Sequence, residues 1–359
     1  MLKKLATVVF AIAAWLILAQ VPGTRAIAQL SDDRTSGSDK VLVPSKAWPC
    51  GMPEGIPVPE CGVPVLEVNL QLGQVYDLGK TPFGHRNVFV VREGTVKGGK
   101  IHGSVMPGGL LLELSFSNAA MEVEQVLVIR TLDEKFIYVR SLGTAADPSD
   151  VRIVPDFEAP FASDYGWLNT GRYAGRRELD LAGKTMKLTI FDISGSAAAS
   201  DRTNAVQVLK PAGLKDQPLD GRRPAAGEVR RGELITENVT LGAGQYVGAT
   251  KNGGRNIIPI TGGTLSGKIT GKVLAGGADY QKLADPMTLD ARYLWQTDGG
   301  DVVIVRNTGT INSLVPRFEV GLDSKYAWLN SGTYLSSSPR IGDGAVTLTF
   351  HESAVEKAP

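Results

Sequence analysis

Cysteine and histidine are scarce. The 359-residue chain holds two cysteines and three histidines (His85, His102 and His351). A Cys-rich zinc module is thereby excluded, and a three-His metal site would need every histidine. The histidines are scattered, without H-x-x-x-H or carboxylate spacing, so neither a metal nor an organic cofactor is expected. Charge of one sign is also lacking: 38 basic against 37 acidic residues leave +1. That gives no global field for nucleic acid, and no nucleic-acid partner is expected. No G-x-S-x-G elbow is present, which removes the commonest hydrolase signature. Gly262-x-x-x-x-Gly267-Lys268 resembles the start of a phosphate loop, but Ile269 stands where Ser or Thr would hold magnesium. It reads as a Gly-rich hairpin. Long segments with a 3.6-residue apolar period are absent, which excludes a helical bundle.

Turn residues, by contrast, are plentiful. There are 42 glycines and 20 prolines, about 17% of the chain against a usual share of about 12%. They follow no collagen period, so the excess points to many turns between short strands.

The N-terminus is patterned for export. Lys3 and Lys4 precede an apolar run from Leu5 to Leu18, and Ala26-Ile27-Ala28 offers a small-x-small cleavage site. Residues 1–28 read as a secretory signal peptide, too short for a permanent membrane anchor, with cleavage near Ala28. The expected location is secreted or periplasmic. Losing Lys3, Lys4 and Arg25 leaves 35 basic against 37 acidic residues, about −2 for the mature chain. Residues 29–64 form a Pro-rich leader, with six prolines between Pro44 and Pro64. Such a stretch supports neither a helix nor a central strand. In an oxidising compartment Cys50 and Cys61 are expected to close a disulfide across it; the spacing lacks redox C-x-x-C geometry.

The strongest feature is an internal repeat. Phe157–Tyr173 and Phe318–Tyr334 match at nine of 17 positions without a gap. Gly84–Val88 aligns with Gly253–Ile257, Met106–Gly109 with Leu274–Gly277, and Leu142–Thr144 with Thr308–Thr310. A period near 165 is too long for a solenoid, so one whole domain is written twice. The expected copies span 65–195 and 232–352, joined by a linker over 196–231. Period-2 alternation at intervals of roughly ten residues, with Gly turns, argues for antiparallel sheets closed as barrels or sandwiches.

Polar groups concentrate in the second copy. Arg255 follows a Gly pair, and Asp279-Tyr280 ends a Gly turn. Asp290 and Arg292 share one strand face, with Tyr293 on the other. Glu319 precedes Tyr326-Ala327-Trp328-Leu329-Asn330. Such a set fits the lining of a small-molecule pocket, with Arg255, Tyr280, Arg292, Tyr293, Tyr326, Trp328 and Asn330 as ligand contacts. Asp279, Asp290 and Glu319 are the candidate general acids or bases. A buried structural ion network is the competing reading of the same charges. The first copy keeps the counterparts Arg86, Glu158, Tyr165, Trp167 and Asn169. It has Leu110-Leu111-Leu112 where Asp279-Tyr280 would align, Glu124 for Asp290 and Val126 for Arg292.

These motifs resemble the domain of unknown function DUF3237, also called UPF0311. The pattern is a Gly-x-Arg turn, a Gly-Gly-x-Asp-aromatic turn, an Asp-x-Arg-Tyr strand, an Asp-Gly hairpin and a Phe-Glu…Tyr-x-Trp-Leu-Asn segment. The second copy carries them all, with Gly254-Arg255 one residue short and Asp298-Gly299 as the hairpin. The first lacks the middle two. The resemblance implies an all-β protein of two antiparallel, calycin-like β-barrels in tandem. It imports no activity. Three functions are open: a binder of a small aromatic or oxygenated molecule; a cofactor-independent lyase, isomerase or cyclase using a barrel carboxylate with Arg255; or a structural or envelope-interaction protein.

Overall fold

The structure, a computed structural model, describes residues 55–195 and 208–356 and the backbone of 40–42. The expected signal peptide, most of the leader, and Cys50 lie outside the described residues. Cys61 is exposed and, among the described residues, has no disulfide partner.

In chain order, β1 is Lys40–Leu42, β2 Val63–Thr81, β3 Gly84–Gly98, β4 His102–Val105 and β5 Leu110–Ser115. Next come β6 (Met121–Thr131), β7 (Phe136–Ala145), β8 (Val151–Glu158), β9 (Tyr173–Asp180) and β10 (Thr185–Asp192). After β11 (Val208–Lys210), the second set begins with β12 (Glu228–Leu241), β13 (Gln245–Thr250), β14 (Gly253–Gly267) and β15 (Gly271–Leu283). It ends with β16 (Thr288–Thr297), β17 (Val302–Thr310), β18 (Ser313–Glu319), β19 (Tyr334–Ser336), β20 (Arg340–Gly342) and β21 (Ala345–Val355).

Strands β2 to β10 close an antiparallel barrel in the order β2-β10-β9-β8-β7-β6-β5-β3, with β3 pairing back to β2 and β4 sharing the position of β5. The closed ring has eight strand positions. Alternation along β6 explains the packing. Met121, Val123, Leu127 and Ile129 enter the barrel core, while Val126 and Val128 point outward into a second apolar cluster. Both faces are apolar because the outer one is covered by the second sheet.

The second sheet repeats the order, β18-β17-β16-β15-β14-β12-β21-β19, with β13 added beside β14 and β20 beside β21. It stays open between β18 and β19. In the first copy this seam is closed by Val151 opposite Arg177, Arg152 opposite Arg176 and Ile153 opposite Gly175. By the repeat, Gly175–Arg177 corresponds to Ser336–Ser338. There the Ser337 N–H donates to Thr349 O at 2.7 Å, and its hydroxyl accepts from the Thr349 N–H at 2.9 Å. Serines satisfying backbone groups locally compete with a ladder. Pro339 follows and has no N–H to offer. The strand therefore stops at Ser336, after three residues where β9 has eight.

The second core is aromatic: Trp295 and Phe318 rings lie 5.0 Å apart, and Phe318 and Tyr334 rings 5.1 Å. The segment between the sheets is structured from Val208. Strand β11 pairs with β1, and Gln217 is buried.

Candidate functional site

The two copies face each other about a pseudo-twofold axis. Arg86 donates from Nε to Glu319 Oε1 at 2.9 Å and from Nη2 to Oε2 at 3.1 Å. Its counterpart Arg255 donates from Nε to Glu158 Oε2 at 2.7 Å and from Nη2 to Oε1. The threonines are reciprocal too: Thr81 donates to Glu319 and Thr250 to Glu158, each at 2.9 Å. So are backbone bonds, Phe161 N–H to Ala249 O at 3.0 Å and Leu322 N–H to Lys80 O at 2.7 Å. This self-complementarity is that of an isologous dimer interface written into one chain. Burial opposes ionisation of Glu158, but the Arg255 hydrogen bonds override it and hold the carboxyl below its ordinary pKa. Arg255 thus sits in the structural ion network that the sequence left as one of two readings.

Other sequence-selected residues share this interface. Tyr280 is buried with its ring 5.5 Å from Tyr138 of the first copy. Leu110 and Leu112 face the second sheet; Leu112 aligns with Tyr280. The Leu run is interface packing. Gly277 donates its N–H to Gly108 O at 2.6 Å. Its φ is +78°, and a Cβ there would lie 1.9 Å from Arg292 O. Only glycine fits this approach.

Arg292 bridges Asp290 at 2.8 Å and Glu124 of the first copy. Glu124 also accepts from Arg140 at 2.9 Å and from Arg306 Nη2 at 2.6 Å. Burial works against charge at Glu124, yet Arg306, Arg140 and Arg292 together hold it well below the usual carboxylate range. Asp279 accepts from Gln281 at 2.8 Å and from the Asp290 N–H at 3.0 Å. Burial, with Asp290 adding to it, pushes Asp279 up to about 6.

Tyr293 lies elsewhere, inside the second core. Its hydroxyl donates to Glu237 Oε1 at 2.5 Å, and Trp295 Nε1 donates to Oε2 at 2.8 Å. Glu237 is fully buried, and burial pushes its pKa up to about 7. The registers β2–β3 and β12–β14 place it at the position of Val68. The sequence signal was an acid between Ile235 and Val239 on an inward face.

The Tyr-x-Trp-Leu-Asn segments form 3-10 turns at the barrel ends. Asn169 clamps Ala159 through both backbone groups, at 2.8 and 3.0 Å. Asn330 clamps Val320 the same way, at 2.9 and 3.0 Å. The Tyr165 hydroxyl donates to Asp133 at 2.7 Å. Lys100 lies 5.5 Å from the Trp167 ring centre, and Lys325 lies 5.0 Å from that of Tyr326. Trp328 is 38% exposed.

The candidate residues therefore divide among the interface, the second core and the turns. Tyr280 lines a very small cavity between the two sheets, whereas Asn330 and Glu319 line a far larger one, of about 250 Å³, between β18 and β19. Its floor is apolar: Phe318, Leu329 and Tyr334 from the second core, with Ile304 beside them. Phe83 closes one side from the first copy, and Pro218 and Arg222 of the connecting segment lie across it. Arg222 is fixed there by Glu228, at 2.8 Å from Nη2, and by Tyr334 O at 3.1 Å. Two arginines, Arg306 and Arg317, complete the wall. They stand directly opposite each other on β17 and β18. In the first copy the corresponding pair is Arg140 opposite Asp156. Neither Arg306 nor Arg317 was selected from the sequence. The reversal from Asp156 to Arg317, visible once the copies are aligned, was the available signal.

Comparison with known proteins agrees with the repeat. The family profile described as a protein of unknown function (DUF3237) matches residues 61–194 and 233–314, more than half of the chain. A UPF0311 protein of Bradyrhizobium diazoefficiens is 34% identical over 137 residues, 32% of this chain and 90% of the relative. A UPF0311 protein of Rhodopseudomonas palustris is 33% identical over 138 residues, again 32% and 90%. Among solved structures, a conserved protein of unknown function from Rhodopseudomonas palustris is 23% identical, covering 36% of this chain and 95% of its own, with a TM-score of 0.33. A β-barrel-like protein from Acinetobacter baumannii is 26% identical, covering 39% and 100%, with a TM-score of 0.32. An enzyme from Penicillium herquei is 20% identical, covering 36% and 92%, with a TM-score of 0.29. With each relative spanning about a third of the chain and the profile matching two separate segments, this protein belongs to the DUF3237 family and carries two copies of its domain.

Proposed function

We propose that this protein is an exported binder of small molecules, taking a compact apolar ligand in the seam cavity of the second copy. One observation carries the reading: a cavity with an apolar floor of Phe318, Leu329 and Tyr334 lies between β18 and β19, beside the missing rungs and not on them. At about 250 Å³ it equals roughly eight water volumes of about 30 Å³ each. That is just below the usual range of ligand pockets, about 300–1,000 Å³, so the ligand is small, on the scale of one substituted ring. The cofactor-independent enzyme has less support. Of Asp279, Asp290 and Glu319, Glu319 alone reaches the cavity, and Arg86 engages both its oxygens.

Saturation-transfer NMR on the full mature chain with benzamide tests the reading. Transfer to the ring protons is expected, and Ile304→Phe, which adds bulk to the wall, is expected to reduce it. Absence of transfer, or transfer unchanged by Ile304→Phe in a folded variant, overturns the assignment.

Export and the Cys50–Cys61 disulfide belong to the same proposal. N-terminal sequencing of the secreted chain is expected to begin near Gln29, and thiol titration before reduction is expected to find no free thiol. An intact N-terminus or two free thiols would overturn that part.

A further inference from the structure

We propose that one end of the second core binds a small apolar amine, with its ammonium on Asp279. The residues involved are separate from those lining the seam cavity, so the inference stands independently of the reading above.

In the first copy this end of the core is filled. Phe89, Leu111 and Gln125 lie directly opposite one another on β3, β5 and β6, and all are buried. Met186 reaches across to them, its sulfur 3.8 Å from Gln125 Nε2 and 3.4 Å from Arg177 Nε. Arg177 lies 5.8 Å from the Phe89 ring centre and pairs with Glu113 at 2.6 Å. Long side chains thus close the space, and the acid among them is matched by a cation.

The second copy cuts these side chains back. The corresponding row on β14, β15 and β16 is Ile258, Asp279 and Ala291. Ala291 stands for Gln125 and Val346 for Met186, so the two side chains that meet across the first core are both short here. Ile258, Asp279, Ala291 and Val346 are all partly exposed. Ile341, opposite Val346, is 55% exposed, whereas Leu179, opposite Met186, packs on the first core. Asp279 faces this opening. Its neighbours Ala278 and Tyr280 belong to the cluster against the first copy, and a strand residue between two such positions points the other way.

The acid has also lost its cation. Gln281 replaces Glu113, the carboxylate sits two residues earlier at Asp279, and Ser338 aligns with Arg177. Asp279 accepts from Gln281 Nε2 at 2.8 Å and from the Asp290 N–H at 3.0 Å. Asn256 Nδ2 holds Gln281 in place at 3.0 Å. These donors are all neutral. Among the described residues no lysine or arginine pairs with Asp279, and the Asp290 charge repels it. A desolvated carboxylate without a counter-ion is costly, and a carboxylate has lone pairs to spare beyond two hydrogen bonds. A bound ammonium supplies both the charge and the donors. Ile258, Ala291, Val346 and Ile341 then take the apolar remainder of the molecule.

Isothermal titration of the full mature chain with benzylamine and with neutral benzyl alcohol tests this. At pH 8 both the amine and Asp279 are charged. Wild type is expected to bind benzylamine at least tenfold more tightly than benzyl alcohol. Asp279→Asn is expected to bring that ratio to near one. Ala291→Gln, which restores the first copy's residue, is expected to weaken benzylamine at least tenfold. Thermal midpoints of both variants establish that they fold. Equal affinities in wild type, an amine preference kept in Asp279→Asn, or binding untouched by Ala291→Gln would each overturn the assignment.

Discussion

Arg86 reaches out of its own barrel to hold Glu319 of the other, with Nε 2.9 Å from Oε1. Because Arg255 holds Glu158 in return, the tandem is built as a twofold dimer whose subunits share one chain. The four side chains are buried, so each pair is far more costly to break than to replace. Removing one member leaves a desolvated charge, which costs about 3–5 kcal/mol, whereas apolar replacement of both is often neutral. Glu158→Gln is therefore expected to lower the urea midpoint strongly, and Arg255→Met with Glu158→Leu to recover much of the loss. Additive losses in the double variant would contradict a mutually compensating pair.

The buried carboxyl of Glu237 makes stability depend on pH. Its folded pKa of about 7 lies above the ordinary 4.5. Between those values the folded chain keeps a proton that the unfolded chain releases. Stability contributed at this site is thus complete below about pH 4.5 and declines as pH rises to about 7, by up to about 3 kcal/mol. Glu237→Gln keeps an acceptor for the Trp295 N–H and a donor for the Tyr293 oxygen. It is expected to remove this decline and to raise the melting temperature at pH 8 relative to wild type. Melting curves from pH 4 to 8 that stay parallel for the two proteins would rule out the assignment.

Asn330 was selected from the sequence as a ligand contact. It lines the cavity, and its amide also clamps both backbone groups of Val320. Asn330→Ala is expected to cost about 2 kcal/mol through two lost hydrogen bonds. Asn169→Ala, in the copy with the closed seam, is expected to cost a similar amount. Unfolding by denaturant measures both. A variant that loses ligand but keeps full stability would instead make Asn330 a ligand contact alone.

Some of this was written plainly in the chain. The match of Phe157–Tyr173 with Phe318–Tyr334 and the period-2 alternation led to two antiparallel β domains of one family, and the second copy was singled out for its polar residues. The site itself was harder to read. Arg255 and Glu158 are 97 positions apart, and alignment of the copies assigned each to its own barrel, where both looked like pocket residues. Only the packing of one copy on the other turns them into an ion pair. Tyr293 and Arg292 were placed on opposite strand faces correctly; one face meets the second core and the other the first copy, and neither residue lines the cavity between β18 and β19. The open seam beside the cavity arises from an interrupted strand. Ser336-Ser337-Ser338-Pro339 signalled that interruption, but its consequence depends on what the missing ladder would have covered.

The most direct measurement is a crystal of the mature chain soaked with 4-bromobenzamide, with the bromine located by anomalous scattering. The bromine is expected in the second copy, over Phe318 and Leu329. A bromine site in the first barrel, or a seam cavity left empty while the compound binds elsewhere, would contradict the central claim.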